Sequence, residues 1–220
     1  MRKKFDIGSL PPRPDLSFEM DLWSQGIELV AGIDEAGRGA WAGPVFAAVV
    51  IFPPDRELYT RLPGVDDSKR LTPNERAACA EQIKDAALAW NIGSADSTEI
   101  DGIGILPATI LAMKRAIEGM KVQPRHLLVD FLSLPDCLQP QTPLVKGDAR
   151  SMSIAAASIL AKTSRDCEMV TIEKVYPGYG FDRHKGYGTA FHREKLVSLG
   201  PSPIHRISFQ PLRSFSQLSF

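Results

Sequence analysis

The sequence has little of several things, and each shortage excludes something. Three cysteines, Cys79, Cys137 and Cys167, stand far apart with no CxxC pair. That argues against a zinc site or a disulfide framework and fits a reducing compartment. The longest apolar runs reach about eight residues, against the ~20 that a membrane-spanning helix needs. The basic N-terminus, MRKKFDIGSLPPRPD, runs into proline-rich polar sequence where a signal peptide would carry its apolar segment. The expectation is a cytoplasmic protein without a membrane partner. Internal repeats are absent, and no heptad or long apolar face stands out, which favours a monomer. Net charge is absent too: 26 Lys and Arg balance 26 Asp and Glu. A neutral total neither points to nucleic acid nor excludes it, because affinity for phosphates depends on where the cations sit.

What is present suits one soluble domain. Hydrophobic residues make up 44% of the 220, enough for a real core. Residues 1–25, broken by Pro11, Pro12 and Pro14, read as a flexible tail, and 211–220 as a second tail. Between them, 26–210 reads as a single α/β domain. IELVAGI is a strand and Pro44 to Phe52 a second. Thr72, Pro73 and Glu75 predict a capped helix running to about Ala87, with LAWNIGSA a third strand. TEIDGIGILPATILAMKRAIEGM reads as two helices broken near Gly104–Pro107. HLLVD and TPLVKGD are short strands. SMSIAAASILAKTSRDCEMVTIEKVYP is a long helix stopped by Pro177, its first turns small enough for close approach to a neighbour. TAFHREKLVSLG is a last, shorter helix. Two strands followed by alternating helices and strands predict a mixed sheet covered by helices.

Acids recur at strand ends. Asp34 and Glu35 close the first strand, Asp130 closes HLLV, and Asp148 follows PLVKG. Clustered like charges are costly unless a cation sits among them. Hard oxygen ligands select Mg²⁺ or Mn²⁺, and two such ions ~4 Å apart are a common device for phosphodiester hydrolysis. Each acid taken alone also reads as a turn or cap residue, and Asp101, Asp136 and Asp166 are not ranked lower by composition. Neighbours on a strand point to opposite faces, so Asp34 and Glu35 share one centre only if the strand ends or bulges there; Ala36, Gly37 and Gly39 permit that.

GIDEAGRG, DSKRL, LLVD, KGDARSMSIAAASILAKTSRD and HKGYGT occur in the order and spacing of type 2 ribonucleases H. The chain resembles that ribonuclease HII family over roughly 27–210. The resemblance implies a ribonuclease H-like fold with a small helical C-terminal part. It also implies hydrolysis of RNA in RNA/DNA hybrids and cutting 5′ of a single ribonucleotide embedded in duplex DNA, leaving 3′-hydroxyl and 5′-phosphate ends. It maps four metal-binding acids onto Asp34, Glu35, Asp130 and Asp148, with two Mn²⁺ or Mg²⁺ ions. Asp130 is chosen over Asp136 because it ends an apolar strand; DFLSLPD departs from the small and polar residues the family often has after this acid.

The same resemblance assigns ribonucleotide sensing to Gly37, Arg38, Gly39 and Tyr187. Lys69, Lys146, Lys162 and Arg165 lie in or beside the motifs and are candidate phosphate contacts. Gln217, Leu218 and Phe220 resemble the short peptides that dock on DNA sliding clamps, with a frayed or packed tail as the alternative. Two other classes stay open: a different metal-dependent nuclease of similar fold, and a hybrid-binding module that does not cut.

Overall fold

The computed structural model describes residues 8, 10–66, 68, 70–135 and 137–215. The expected positions Lys69 and Asp136, and the clamp-like Gln217, Leu218 and Phe220, lie outside them. In chain order the elements are α1 (Ser17–Ser24), β1 (Val30–Ala36), β2 (Val45–Ile51), α2 (Leu58–Arg61), α3 (Pro73–Ala86), β3 (Ala89–Ala95), α4 (Ser97–Ile103) and α5 (Ile105–Glu118). There follow β4 (His126–Asp130), β5 (Gln141–Leu144), a 3₁₀ turn (Gly147–Ala149), α6 (Met152–Val175), α7 (Phe181–His184), α8 (Ala190–Leu199) and α9 (Leu212–Phe215).

Among the described residues the strands form one sheet in the order β3-β2-β1-β4-β5. β1 runs antiparallel to β2 and parallel to β4, so the sheet is mixed, as expected. The two central strands bury both faces. Ile33, Val45, Val49 and Val129 pack with Ala112 and Met113 of α5 on one side. Ala48, Val50 and Phe52 pack with Ala155, Ile159 and Leu160 of α6 and Cys79 and Ile83 of α3 on the other. Burying both faces makes these strands continuous apolar runs rather than alternating ones.

Local signals act where the sequence places them. The Thr72 hydroxyl accepts from Glu75 N–H at 3.3 Å, and the Glu75 carboxylate accepts from Thr72 N–H at 2.8 Å. Gly104, at φ +86°, separates α4 from α5.

Two expectations need correction. The tail expected over 1–25 holds α1, which is packed: Leu16 is buried, and Met20 and Trp23 lean on the core. The Glu19 carboxylate is fully buried and accepts from the Ser151 hydroxyl at 2.6 Å and from Ser153 N–H at 2.9 Å, tying α1 to the start of α6. Burial pushes the Glu19 carboxyl above the ordinary glutamate range, and the donors of Ser151 and Ser153 offset part of that rise. Likewise the tail expected over 211–220 begins with α9, where Leu212 is buried.

α6 crosses β1 at backbone contact. A Cβ on Gly32 would lie 2.0 Å from the carbonyl carbon of Ser153. Gly32→Ala must therefore force α6 away from the sheet. Overpacking of this kind costs roughly 1–3 kcal/mol or more, so the thermal midpoint should fall by roughly 5–10 °C. A melt within about 1 °C of wild type would show that the contact is looser than this.

Candidate active site

The end of β1 settles how adjacent acids share one place. β1 neither ends nor bulges at Asp34: the ladder with β2 continues as Asp34↔Ala48, Glu35↔Ala47 and Ala36↔Phe46. The bulge or strand end expected there is absent. Asp34 leaves the sheet on the α6 face, where Ser158 hydrogen-bonds it. By strand alternation Glu35 leaves on the other face, yet it lines the same cleft. That is possible because the cleft lies past the strand ends, where both faces of the sheet are reached, and only Ala36 follows in the strand.

The other two acids arrive from the parallel side. β1 and β4 pair as far as Ile33↔Val129, so Asp34 and Asp130 are the next residue on each strand. Asp148 sits in the 3₁₀ turn and is 7% exposed. Gly147 N–H donates to Asp130 Oδ1 at 2.7 Å, and a Cβ on Gly147 would come within 2.7 Å of Ile154. Bare backbone is what lets that donor reach the carboxylate. All four acids, together with Gly37, Arg38, Gly39, Lys162 and Tyr187, line one cleft of ≈ 460 Å³.

Electrostatics mark the cleft as strained. Burial, then the carboxylates of Glu35 and Asp130, hold Asp34 well above the ordinary aspartate range. Glu35 Oε1 pairs with Arg38 at 3.0 Å, while its Oε2 is buried without a hydrogen-bond partner. An orphaned carboxylate oxygen within a group of hard oxygen donors fits a divalent cation of the Mg²⁺ or Mn²⁺ type. Among the described residues no three of these side chains are gathered closely enough to hold an ion as they stand. Asp34 Oδ1 is turned to Glu35 N–H and Asp130 Oδ1 to Gly147 N–H.

The glycine-rich loop after β1 is held from below. Gly37 has φ +94°, and a Cβ there would sit 1.9 Å from Arg165 Nε. Gly39 is exposed, and a Cβ on it would meet nothing within 4 Å, so the fold itself does not require glycine at that place.

Arg165 is not the phosphate contact expected of it. It is completely buried, and its guanidinium donates to the carbonyls of Pro44 at 2.9 Å, Ala42 at 3.2 Å and Lys185 at 2.9 Å. It pins the 37–44 loop to the 184–189 loop and lies 5.3 Å from the Tyr187 ring. Lys162 is partly exposed, 5.6 Å from the same ring, and paired with Asp166 at 2.6 Å. Asp166 also meets Arg76 at 3.2 Å. Lys146 is exposed in a left-handed turn at φ +58° beside Gly147, outside the cleft lining.

Sequence reasoning missed four residues here. Ser158 and Ser68 meet at 3.0 Å inside the cleft. Ser158, Lys162 and Arg165 recur at i, i+4 and i+7 on α6, a stripe that helical periodicity could have exposed. Arg206 is fully buried and donates to the carbonyls of Gly43 and Arg38, both at 2.9 Å. His205 supports the same loop through a bridge to Ala42. Nothing local in SPIHRISF announces either role.

The ribonuclease HII family model matches residues 31–212. The chain belongs to the ribonuclease HII family. It is 53% identical over 195 residues to the ribonuclease HII of Desulfitobacterium hafniense (strain Y51), covering 89% of this chain and 74% of that one. Identity to the ribonuclease HII of Thermus thermophilus is 48% over 194 residues, covering 88% and 92%. Among solved structures, the ribonuclease H2 of Pyrococcus horikoshii OT3 matches with a TM-score of 0.70 and 26% identity over 86% of this chain and 97% of that one. Membership makes this chain a ribonuclease H hydrolase with the ribonuclease H-like fold.

Removing one charge tests the strain. Asp34→Asn keeps the shape and the oxygen facing Glu35 N–H but deletes the repulsion. In EDTA its thermal midpoint should rise by roughly 2–4 °C, the effect of about 1 kcal/mol in a chain of this size. An unchanged or lower midpoint would show that the acids are not repelling one another.

Proposed function

We propose that this ribonuclease HII family member hydrolyses the RNA strand of RNA/DNA hybrids and cuts 5′ of single ribonucleotides embedded in duplex DNA, leaving 3′-hydroxyl and 5′-phosphate ends. The observation that carries the reading is one cleft lined by Asp34, Glu35, Asp130 and Asp148 together with Gly37, Arg38, Gly39 and Tyr187. Acids suited to metal ions and backbone suited to a sugar share one wall. A binding module gains nothing from clustered negative charge beside phosphate, so the acids favour cutting over binding alone.

Asp34, Glu35, Asp130 and Asp148 would hold two divalent ions, Mn²⁺ or Mg²⁺. Such ions, when bound, make water more acidic and stabilise charge on the leaving oxygen. The chain's own residues do the rest. Asp34 leaves β1 toward α6 and Asp130 leaves β4 beside it, so the sheet sets their separation. The Gly147 donor steadies Asp130.

Recognition of the sugar falls to the neighbouring loop. A 2′-hydroxyl both donates and accepts, so exposed N–H and C=O groups can read it. Gly39 leaves its backbone uncovered where the fold does not demand it, which supports this role for the Gly37–Arg38–Gly39 loop. The Tyr187 ring, packed on Arg165 and Lys162, would meet the sugar of the following deoxynucleotide. Lys162, Lys146 and Lys69 would meet phosphates, whereas Arg165 holds the loops. A second cleft of ≈ 560 Å³ shares Lys162 and Tyr187 and is lined by Arg76, Arg183 and Lys185 together with Asp166 and Asp182; Arg76 and Lys162 are paired with Asp166, so Arg183 and Lys185 would be its phosphate contacts.

Two variants test the proposal on a duplex carrying one ribonucleotide. Asp148→Asn should remain folded and cut slower by roughly a hundredfold or more, as befits loss of charge stabilisation at the reacting phosphate; near wild-type activity with Mg²⁺ would remove Asp148 from the metal site. Tyr187→Ala should harm cleavage at the embedded ribonucleotide more than binding to all-DNA duplex, and equal losses would refute the sensing role.

A further inference from the structure

Behind Tyr187 lies a buried polar chain that the proposed chemistry does not use. His192 and His205 are 0% and 2% exposed, and their Nε2 atoms stand 3.0 Å apart. Two neutral imidazoles meeting nitrogen to nitrogen share one hydrogen, so one ring donates and the other accepts. The direction follows from the ends of the chain. His205 Nδ1 faces two donors of Ser202, the backbone N–H at 2.9 Å and the hydroxyl at 2.8 Å. The Ser202 carbonyl, which would need a hydrogen on that nitrogen, is farther at 3.3 Å. Nδ1 of His205 is therefore bare, and its Nε2–H donates to His192 Nε2. The hydrogen of His192 is then on Nδ1, which donates to the Tyr187 carbonyl at 3.0 Å.

That carbonyl also accepts from Thr189 N–H at 2.9 Å, so both its lone pairs are used. A third ring braces the preceding residue. His184 stacks on His192 with centroids 4.3 Å apart, accepts from Gly186 N–H at 3.1 Å, and donates through Nε2 to the Tyr179 carbonyl at 2.9 Å. Burial keeps the set neutral, pushing His192 and His205 down to about 4. Simple space-filling would not call for three imidazoles aligned in this order, each with a satisfied partner.

We propose that His205 and His192 are positioning residues for ribonucleotide recognition: their one-way hydrogen-bond chain fixes the backbone of Tyr187, and through the bridge to Ala42 fixes it relative to the glycine-rich loop. This rests on the sensing role of Tyr187. The ring of Tyr187 faces the cleft while its carbonyl is gripped from behind, so losing the grip lets the ring drift without removing it.

The test is a double-mutant cycle on cleavage of a single-ribonucleotide duplex, with thermal melts of every variant. His192→Leu keeps bulk and loses the donor. His192→Asn places an amide N–H where Nδ1 stood. His192→Leu should lower kcat/KM roughly tenfold, the size of one hydrogen bond lost from a buried carbonyl, and His192→Asn should restore most of it. In a Tyr187→Ala background the same His192→Leu change should cost less than about twofold, because the residue it acts through is gone. A full tenfold loss in that background overturns the positioning role and leaves the Tyr187 reading standing. A Tyr187→Ala variant that cuts like wild type overturns both. Should His192→Leu fail to fold, His205→Gln, which keeps a donor near Nε2, and His205→Met, which does not, enter the same cycle with the same expectations. Nitrogen-15 NMR of the wild-type imidazoles supplies a readout free of activity: His192 should be the Nδ1–H tautomer and His205 the Nε2–H tautomer, and the reverse assignment refutes the chain.

Discussion

The backbone contact between α6 and β1 is the constraint on which the site depends. A helix can touch a strand this closely only where the strand carries no side chain, and Gly32 is that place. With the crossing fixed there, helical geometry does the rest. Ser158 arrives beside Asp34, Lys162 one turn later at the cleft, and Arg165 a turn beyond that, under the loops. The small residues Ala155, Ala156 and Ala157 keep the helix close over its first turns. One contact thus sets the acids of the sheet against the loops that would read the substrate.

The site holds two opposed charge problems. Facing the cleft, carboxylates crowd at the strand ends, and burial raises the affinity of Asp34 for a proton. Behind the loops, Arg165 and Arg206 are both fully buried, and burial and Arg165 together weaken the hold of Arg206 on its proton. Neither cation is placed to neutralise the acids directly. Both direct donors to carbonyls of the 37–44 loop or its neighbours, satisfying backbone groups that no strand or helix pairs, while Arg206 Nη2 is buried without a hydrogen-bond partner. Among the acids, burial and the neighbouring Glu35 and Asp130 still hold Asp34 well above the ordinary aspartate range, and Glu35 Oε2 keeps no hydrogen-bond partner, a state that a divalent cation would relieve.

Much of the fold was legible because its signals are local. The Thr72 and Glu75 cap, the Gly104 break and the two central strands each depend on a few consecutive residues. α1 was legible in principle, since Leu16, Met20 and Trp23 repeat at helical spacing, but three prolines just before them read as a disordered tail. The helix is tied down by the apolar packing of Leu16, Met20 and Trp23 and by Glu19 reaching Ser151 and Ser153, more than 130 residues away, which no local pattern reports. The bulge expected at Asp34 was a geometric inference from strand alternation. It proved unnecessary because the cleft lies beyond the strand ends rather than on one face. Arg165 misled for the opposite reason: a cation in a motif looks like a phosphate contact until its burial is known.

By itself the sequence determined which chemistry the chain carries: acids at the ends of apolar runs, a glycine-rich turn beside them and a tyrosine in a second turn, in an order that marks one family. These are properties of residue type and spacing, which the linear chain states outright. Tertiary structure alone decided how they meet. It placed Glu35 in the same cleft as Asp34 from the opposite face. It turned Arg165 inward to three carbonyls, and it brought His205 and Arg206 from the far end of the domain to support loops at its start. Burial and hydrogen-bond partnership depend on distances between residues far apart in the chain, and only packing fixes those distances.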